Sequence, residues 1–191
     1  MDITKITIGQ ATAISNQYEG WKASKYTIVK DHRTKTLSYY DRVFTDRYVY
    51  PDTISIGWKL SGGTKTVCGY ACRKATATFR GRAWTAWYAT DIPVNDGPWK
   101  YGGLPGLILA VQDTEAYFVF TCIGVDNKST PIRFWTYPHT KSTREKLRAT
   151  ILRMHKQPIL FCEQSLGINI YIGNTNKNRD FSFPWLWLEA E

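Results

Sequence analysis

A mainly β fold is what this sequence predicts: a curved antiparallel sheet or partial β-barrel, with one helix of the C-terminal half packed on it. Three observations carry that expectation. Short apolar runs separated by turn residues recur along the chain. The 8 Trp, 12 Tyr and 8 Phe favour strands over helices. Only one segment has the spacing of an amphipathic helix. A length of 191 residues can bury a sizeable core, and without repeats or low-complexity linkers the chain reads as a single domain, 1–191.

Residues 3–8 (ITKITI) alternate apolar with polar, the period of a half-buried strand. Residues 26–30 and 36–40 flank Asp31-His32-Arg33-Thr34-Lys35 and read as a hairpin. Strands at 47–50, 53–60 and 64–70 follow, the last two joined by Ser61-Gly62-Gly63, where glycine permits the positive φ of a tight turn. Residues 71–92 are rich in strand formers, with a bend at Arg80-Gly81-Arg82. After a long connection at 93–106, residues 107–112 and 117–125 form a second hairpin through Asp113-Thr114-Glu115-Ala116, and 132–135 makes one more strand.

The helix is expected over 142–156. Ser142-Thr143-Arg144-Glu145 has capping-box form, Leu147, Ile151 and Met154 make one apolar stripe, and Gln157-Pro158 ends it. Residues 181–188 (FSFPWLWL) are so apolar that a monomer must bury them or expose a sticky patch; burial is the expectation, and an assembly interface the alternative.

The most distinctive feature lies in the connection. Gly103, Leu104, Pro105, Gly106, Leu107 and Ile108 cannot be helical, because proline and two glycines interrupt them. Leu104-Pro105-Gly106-Leu107 fits a type II turn, with Pro presetting the first central φ and Gly supplying the positive second. Leu107 then starts a strand. Upstream, alternation puts Trp84, Ala86 and Tyr88 on one face and Ala83, Thr85 and Trp87 on the other, so large aromatics occupy both. One face is core; the other is covered by the connection or open to a ligand. Arg82 beside this platform pairs with Asp91 or binds an anion, the ion pair being the expected use because it would fix the connection on the sheet.

Together with Trp58-Lys59-Leu60, Gly69-Tyr70, Cys72-Arg73-Lys74-Ala75 and Phe79-Arg80-Gly81-Arg82, this hexapeptide resembles the GLPGLI family of Bacteroidetes proteins, in order and spacing, over about residues 54–125. The family has no assigned biochemical function. What the resemblance implies is location, the periplasm or cell envelope, since its members usually carry a signal peptide. Met1-Asp2-Ile3-Thr4 has neither a charged n-region nor an apolar h-region. The expectation is therefore a mature chain in which Met1 replaces a leader; a cytosolic chain would depart from the family.

Composition limits the partners. The formal charge of +9 draws anions, but no basic run exceeds two residues, so nucleic acid is not an expected partner. No stretch reads as a transmembrane segment. The cysteines Cys68, Cys72, Cys122 and Cys162 permit two disulfides in three connectivities. If 67–72 were one straight strand, Cys68 and Cys72 would lie about 13 Å apart, too far to bridge, unless the chain bends at Gly69. Their spacing lacks the paired knuckles of a zinc site, and no metal or cofactor is expected.

Catalytic patterns are weak. A nucleophilic triad would need His32, His139 or His155 as base, and none lies in the motif block; no G-x-S-x-G or HExxH occurs. Gly102 to Gly106 lack the lysine and following helix of a phosphate loop. Asp91, Asp96 and Asp113 bracket the connection and could do acid–base work, though Asp96-Gly97 suits a turn and Asp113 a hairpin cap. The expected function is a non-enzymatic binding protein for a peptide, lipid or other apolar ligand, or an envelope protein partner, using Arg82, Trp84, Trp87, Tyr88, Asp91, Trp99, Leu104 and Ile108. The alternatives are a hydrolase or modifying enzyme built on the carboxylates, and an assembly protein using the aromatic tail.

Overall fold

The computed structural model describes residues 26–128, 131 and 137–170. They form two compact units, one from residues up to 52 and from 137 onward, the other from 53 to 131. The expected strands at 3–8 and 132–135 and the aromatic stretch at 181–188 lie outside the described residues. Both units are β-rich, and neither sheet closes on itself.

In the first unit β1 (Thr27–Asp31), β2 (Thr36–Val43) and β3 (Asp46–Asp52) form an antiparallel meander, and β9 (Thr140–Lys141) adds to β3 in parallel. The β1–β2 hairpin forms where alternation places it. Its turn is closed by Asp31, whose Oδ1 accepts from the amides of Arg33 (2.9 Å) and Thr34 (3.1 Å), the Asx device that makes aspartate a turn residue.

The predicted helix is α1 (Arg144–Lys156), and its stripe packs as expected: Leu147 is buried with Val43 and Tyr50, and Ile151 and Met154 lie against them. Two details differ. Thr143, not Ser142, is the N-cap, its Oγ1 accepting from the Lys146 amide at 3.2 Å, so the third helical position is Lys146 and not the glutamate a capping box would need there. Pro158 ends α1 but also opens a second helix, α2 (Pro158–Leu166), because its missing N–H and fixed φ suit the first helical position. Phe161 of α2 completes this core.

The second unit is a five-stranded antiparallel meander: β4 (Lys59–Val67), β5 (Tyr70–Phe79), β6 (Arg82–Ala89), β7 (Leu107–Asp113) and β8 (Val119–Thr121). Cys68-Gly69 and Arg80-Gly81 are two-residue turns with positive φ at both positions (51° and 82°, 48° and 73°), the mirror-image geometry that matches strand twist. The chain therefore reverses at Gly69. Ser61-Gly62-Gly63 is not a turn: β4 runs through it, with a register shift between Ser61 and Thr64 that leaves extra residues bulged at the glycines. Residues 53–58, expected as strand, precede β4 without joining it, and deliver Ile56 and Trp58 to the core.

Both faces of this sheet are covered. Trp84, Ala86 and Tyr88 pack on one face with Ala75, Tyr101, Leu104, Ile108 and Val111. Val67, Cys72, Ala89, Leu109 and Ala110 pack on the other. Leu109 and Ala110 share a face although they are neighbours, because a bulge sets the β6–β7 register shift between Trp87 and Tyr88.

Candidate functional site

The long connection between β6 and β7 is the organising element of the second unit. It folds back through short-range bonds, Val94 N to Ile92 O (2.7 Å) and Asp96 N to Val94 O (2.9 Å), and is stitched to the start of β7 by Leu107 N to Ile92 O (3.0 Å) and Ile108 N to Asp96 O (2.9 Å). Asp96 Oδ1 also accepts from the Gly97 amide at 2.7 Å. Gly97 is required by packing, since a Cβ there would come within 2.8 Å of Ile108 Cβ.

The hexapeptide closes this loop, though not as a type II turn. Gly106 N bonds to Leu104 O at 2.8 Å, a three-residue γ-turn centred on Pro105, whose ring-fixed φ suits that geometry. The Leu107 amide is drawn away to Ile92, so the four-residue bond cannot form. Gly103, at φ 91°, donates to Asn95 Oδ1. Gly106 lies against β6: a Cβ would sit 2.8 Å from the Ala89 carbonyl carbon and closer still to its oxygen.

Above the sheet the connection lays down an aromatic cluster around Tyr101, which is 0% exposed. Its ring centroid is 5.1 Å from Trp84, 5.2 Å from Trp99, 6.0 Å from Phe120 and 6.3 Å from Trp58. The indole donors of Trp58 and Trp84 are satisfied by backbone, Trp58 Nε1 to Gly102 O at 2.8 Å and Trp84 Nε1 to Phe79 O at 3.1 Å. Lys100 is buried, with its ammonium 5.2 Å from the Trp99 ring.

Of the residues singled out from sequence, Trp84, Tyr88, Leu104 and Ile108 are all 2% exposed and Trp99 packs against them. Trp87 stands apart on the opposite face, half-buried, with the ammonium groups of Lys65 and Lys74 at 5.9 and 6.0 Å from its ring. Asp91 is exposed.

The expected Arg82–Asp91 pair does not form; Arg82 bonds Asp113 instead, at 3.1 Å. Arg82 begins β6 and Asp91 follows its end, about 30 Å along an extended strand, whereas the β6–β7 register sets Asp113 opposite Trp84. Asp113 is 0% exposed, and its other oxygen accepts from the Phe118 amide at 2.9 Å, so it does cap the hairpin. The three carboxylates therefore share no cleft: Asp113 is consumed in the hairpin, and Asp96 binds its own turn.

Where the connection meets the far edge of the sheet there is a groove of about 550 Å³, walled by Gly97-Pro98, by Leu107 to Leu109, and by β8 with Cys122, Gly124 and Val125. Among the described residues its wall is largely apolar, with Cys122 the only titratable side chain in it. Val119 and Val125 are 55% and 43% exposed at its rim. Sequence reasoning picked Ile108 from this wall and missed Phe120, Val119 and Val125, which alternation alone leaves as ordinary strand residues; it also missed Tyr101, which lies in a segment with no period to read.

No group of His, Cys, Asp or Glu among the described residues is placed to hold a metal. None of the described helices is long and apolar enough to cross a membrane.

A family described as a protein of unknown function (Porph_ging) matches residues 80–110, from the β5–β6 turn through the connection into β7. No curated protein matches the chain significantly. Among solved structures it is similar to PNGF-II in its P21 crystals, at 18% identity and a TM-score of 0.50, and in its C2 crystals, at 17% and 0.49. Each alignment covers 72% of this chain and 27% of that one, so the chain spans about a quarter of PNGF-II; the P21 match shows a shared fold.

Proposed function

We propose that this chain is an exported, non-enzymatic binding protein of the GLPGLI family, and that its ligand is an extended apolar peptide segment lying in the groove beside β8. The observation that carries this reading is the groove itself: about 550 Å³ of largely apolar wall against a strand that, among the described residues, pairs only with β7. An extended peptide is the occupant that uses both properties, adding backbone bonds to β8 while alternate side chains enter the apolar wall. Catalysis finds no such support, because Asp113 is paired and buried and Asp91 is exposed, away from it. Export and residence in the periplasm or envelope are what the family resemblance implies.

The test is binding of a panel of extended apolar peptides and of a vesicle lipid, read by fluorescence anisotropy, with Val119→Asp and Val125→Glu as groove variants. Val119 and Val125 are exposed enough to be changed without opening the core. Apolar peptides should bind in the micromolar range and weaken tenfold or more in both variants. Equal binding by wild type and variants, or binding of lipid and no peptide, would sink the proposal.

A further inference from the structure

The face of the second sheet opposite the aromatic cluster gathers three cysteines from distant parts of the chain. Cys68 occupies the β4–β5 turn, Cys72 lies on β5, and Cys122 follows β8; all three join one apolar cluster with Val67, Ala89 and Leu109. In a flat sheet β5 and β8 would be three strand spacings apart, about 14 Å, beyond the reach of two thiols. Cys68 and Cys122 nonetheless pack against the same buried cluster from its two ends in sequence, and the Cys122 thiol bears on the ionisation of Cys68.

The three are not equivalent. Cys72 is 0% exposed and directed at its own strand, its thiol 3.5 Å from Tyr70 O, which leaves no approach for an oxidant. Cys68 and Cys122 are only half-buried. Cys68 also has φ 51° at the first position of a turn that asparagine, aspartate or glycine adopts with less strain. Cys122 is held at the groove wall by Cys122 N to Leu109 O (2.7 Å), its thiol 3.3 Å from Gly124 O.

We propose that Cys68 and Cys122 are oxidised to a disulfide that ties the segment after β8 to the β4–β5 turn, leaving Cys72 and Cys162 as thiols. The oxidant is an external disulfide of the glutathione type. The Cys68 thiolate attacks it, forming a mixed disulfide and releasing one thiol; the Cys122 thiolate then attacks the Cys68 sulfur, forming the internal S–S bond and releasing the second. Two protein thiols are oxidised, one external disulfide is reduced to two thiols, and the protons pass to those leaving groups. Desolvation holds the Cys68 thiol above its ordinary range, with Cys122 adding to the effect, so exchange accelerates as pH rises.

The experiment equilibrates the full chain with reduced and oxidised glutathione, quenches with acid, alkylates in denaturant and maps the non-reduced chymotryptic peptides. Cleavage after Tyr70 separates Cys68 from Cys72. The expected result is a Cys68–Cys122 cross-link and two alkylated thiols per chain out of four cysteines. Cys68→Ser should leave three alkylated thiols, and Cys72→Ser should keep the cross-link. Oxidised protein should also unfold at higher urea than reduced protein. Four alkylated thiols at a strongly oxidising ratio, or a Cys72–Cys122 cross-link in the wild type or surviving in Cys68→Ser, would overturn the assignment.

Discussion

Gly106 lies so close to the Ala89–Thr90 peptide that no side chain fits, and its φ of 155° adds strain for any L residue. Gly106→Ala should therefore cost about 3 kcal/mol, from overpacking and strain together, read as a lowered urea midpoint with an unchanged slope. Asp113→Ala should cost a similar amount, about 3 kcal/mol, since it strands the partly buried Arg82 guanidinium and the Phe118 amide. The need for glycine at 106 was legible from the sequence, because a Pro-Gly pair between apolar residues demands unusual φ. The reason for it at 106 was not: contact with a strand some 17 residues upstream is not written in local spacing. The same limit explains Arg82. Two acidic partners were within plausible sequence distance, and only the register of β6 against β7 decides for Asp113.

Among the elements, those with a strict period were readable, and those punctuated by glycine or proline were not. The β1–β2 hairpin and the Leu147 stripe follow from alternation and from a seven-residue repeat. Gly62-Gly63 serves equally as turn or bulge, and Pro158 equally as terminator or first helical residue, so β4 and α2 needed the fold to define them. Thr143→Ala should cost α1 about 1 kcal/mol by leaving the Lys146 amide uncapped, measurable by thermal unfolding. The β1–β2 turn has a pH dependence of its own. Hydrogen bonds from the Thr34 amide and hydroxyl, with that of the Arg33 amide, hold the Asp31 carboxyl below its usual range. Its contribution is therefore complete above the ordinary carboxylate value of about 4 and is lost as pH falls through the depressed one. The protection factors of the Arg33 and Thr34 amides, corrected for the intrinsic pH dependence of exchange, should fall over that acid range and stay level in Asp31→Asn; unchanged protection at low pH would rule this out.

For the molecule as a whole, β-rich composition and the single clear amphipathic stripe were enough to read a mainly β fold, while the division into two units was not readable, because no linker or change of composition marks it. Residues 53–128 contain every strand of the second sheet and both of its clusters. A fragment spanning 53–135 should fold cooperatively, with Trp84 shielded from fluorescence quenchers; a quencher-accessible, non-cooperative fragment would show that its cores depend on the rest of the chain. Alkaline pH should weaken the first unit. Burial, helped by Asp46 for Tyr48 and Asp41 for Tyr26, raises both phenols above about 10. Their stabilisation is thus whole below that value and is lost as pH rises through the raised ones. The sheet of the second unit has two unlike borders. β4 is exposed along nearly its whole length, carries Lys59 and Lys65, and is broken by its double-glycine bulge, features that repel an incoming strand, whereas β8 is short, flanked by exposed apolar side chains and set beside the groove. A sheet that accepts a strand on one side only stops after a single addition. Under the proposed reading the sheet would take one peptide per chain, or a second chain in a closed pair, and would not extend into an open-ended filament.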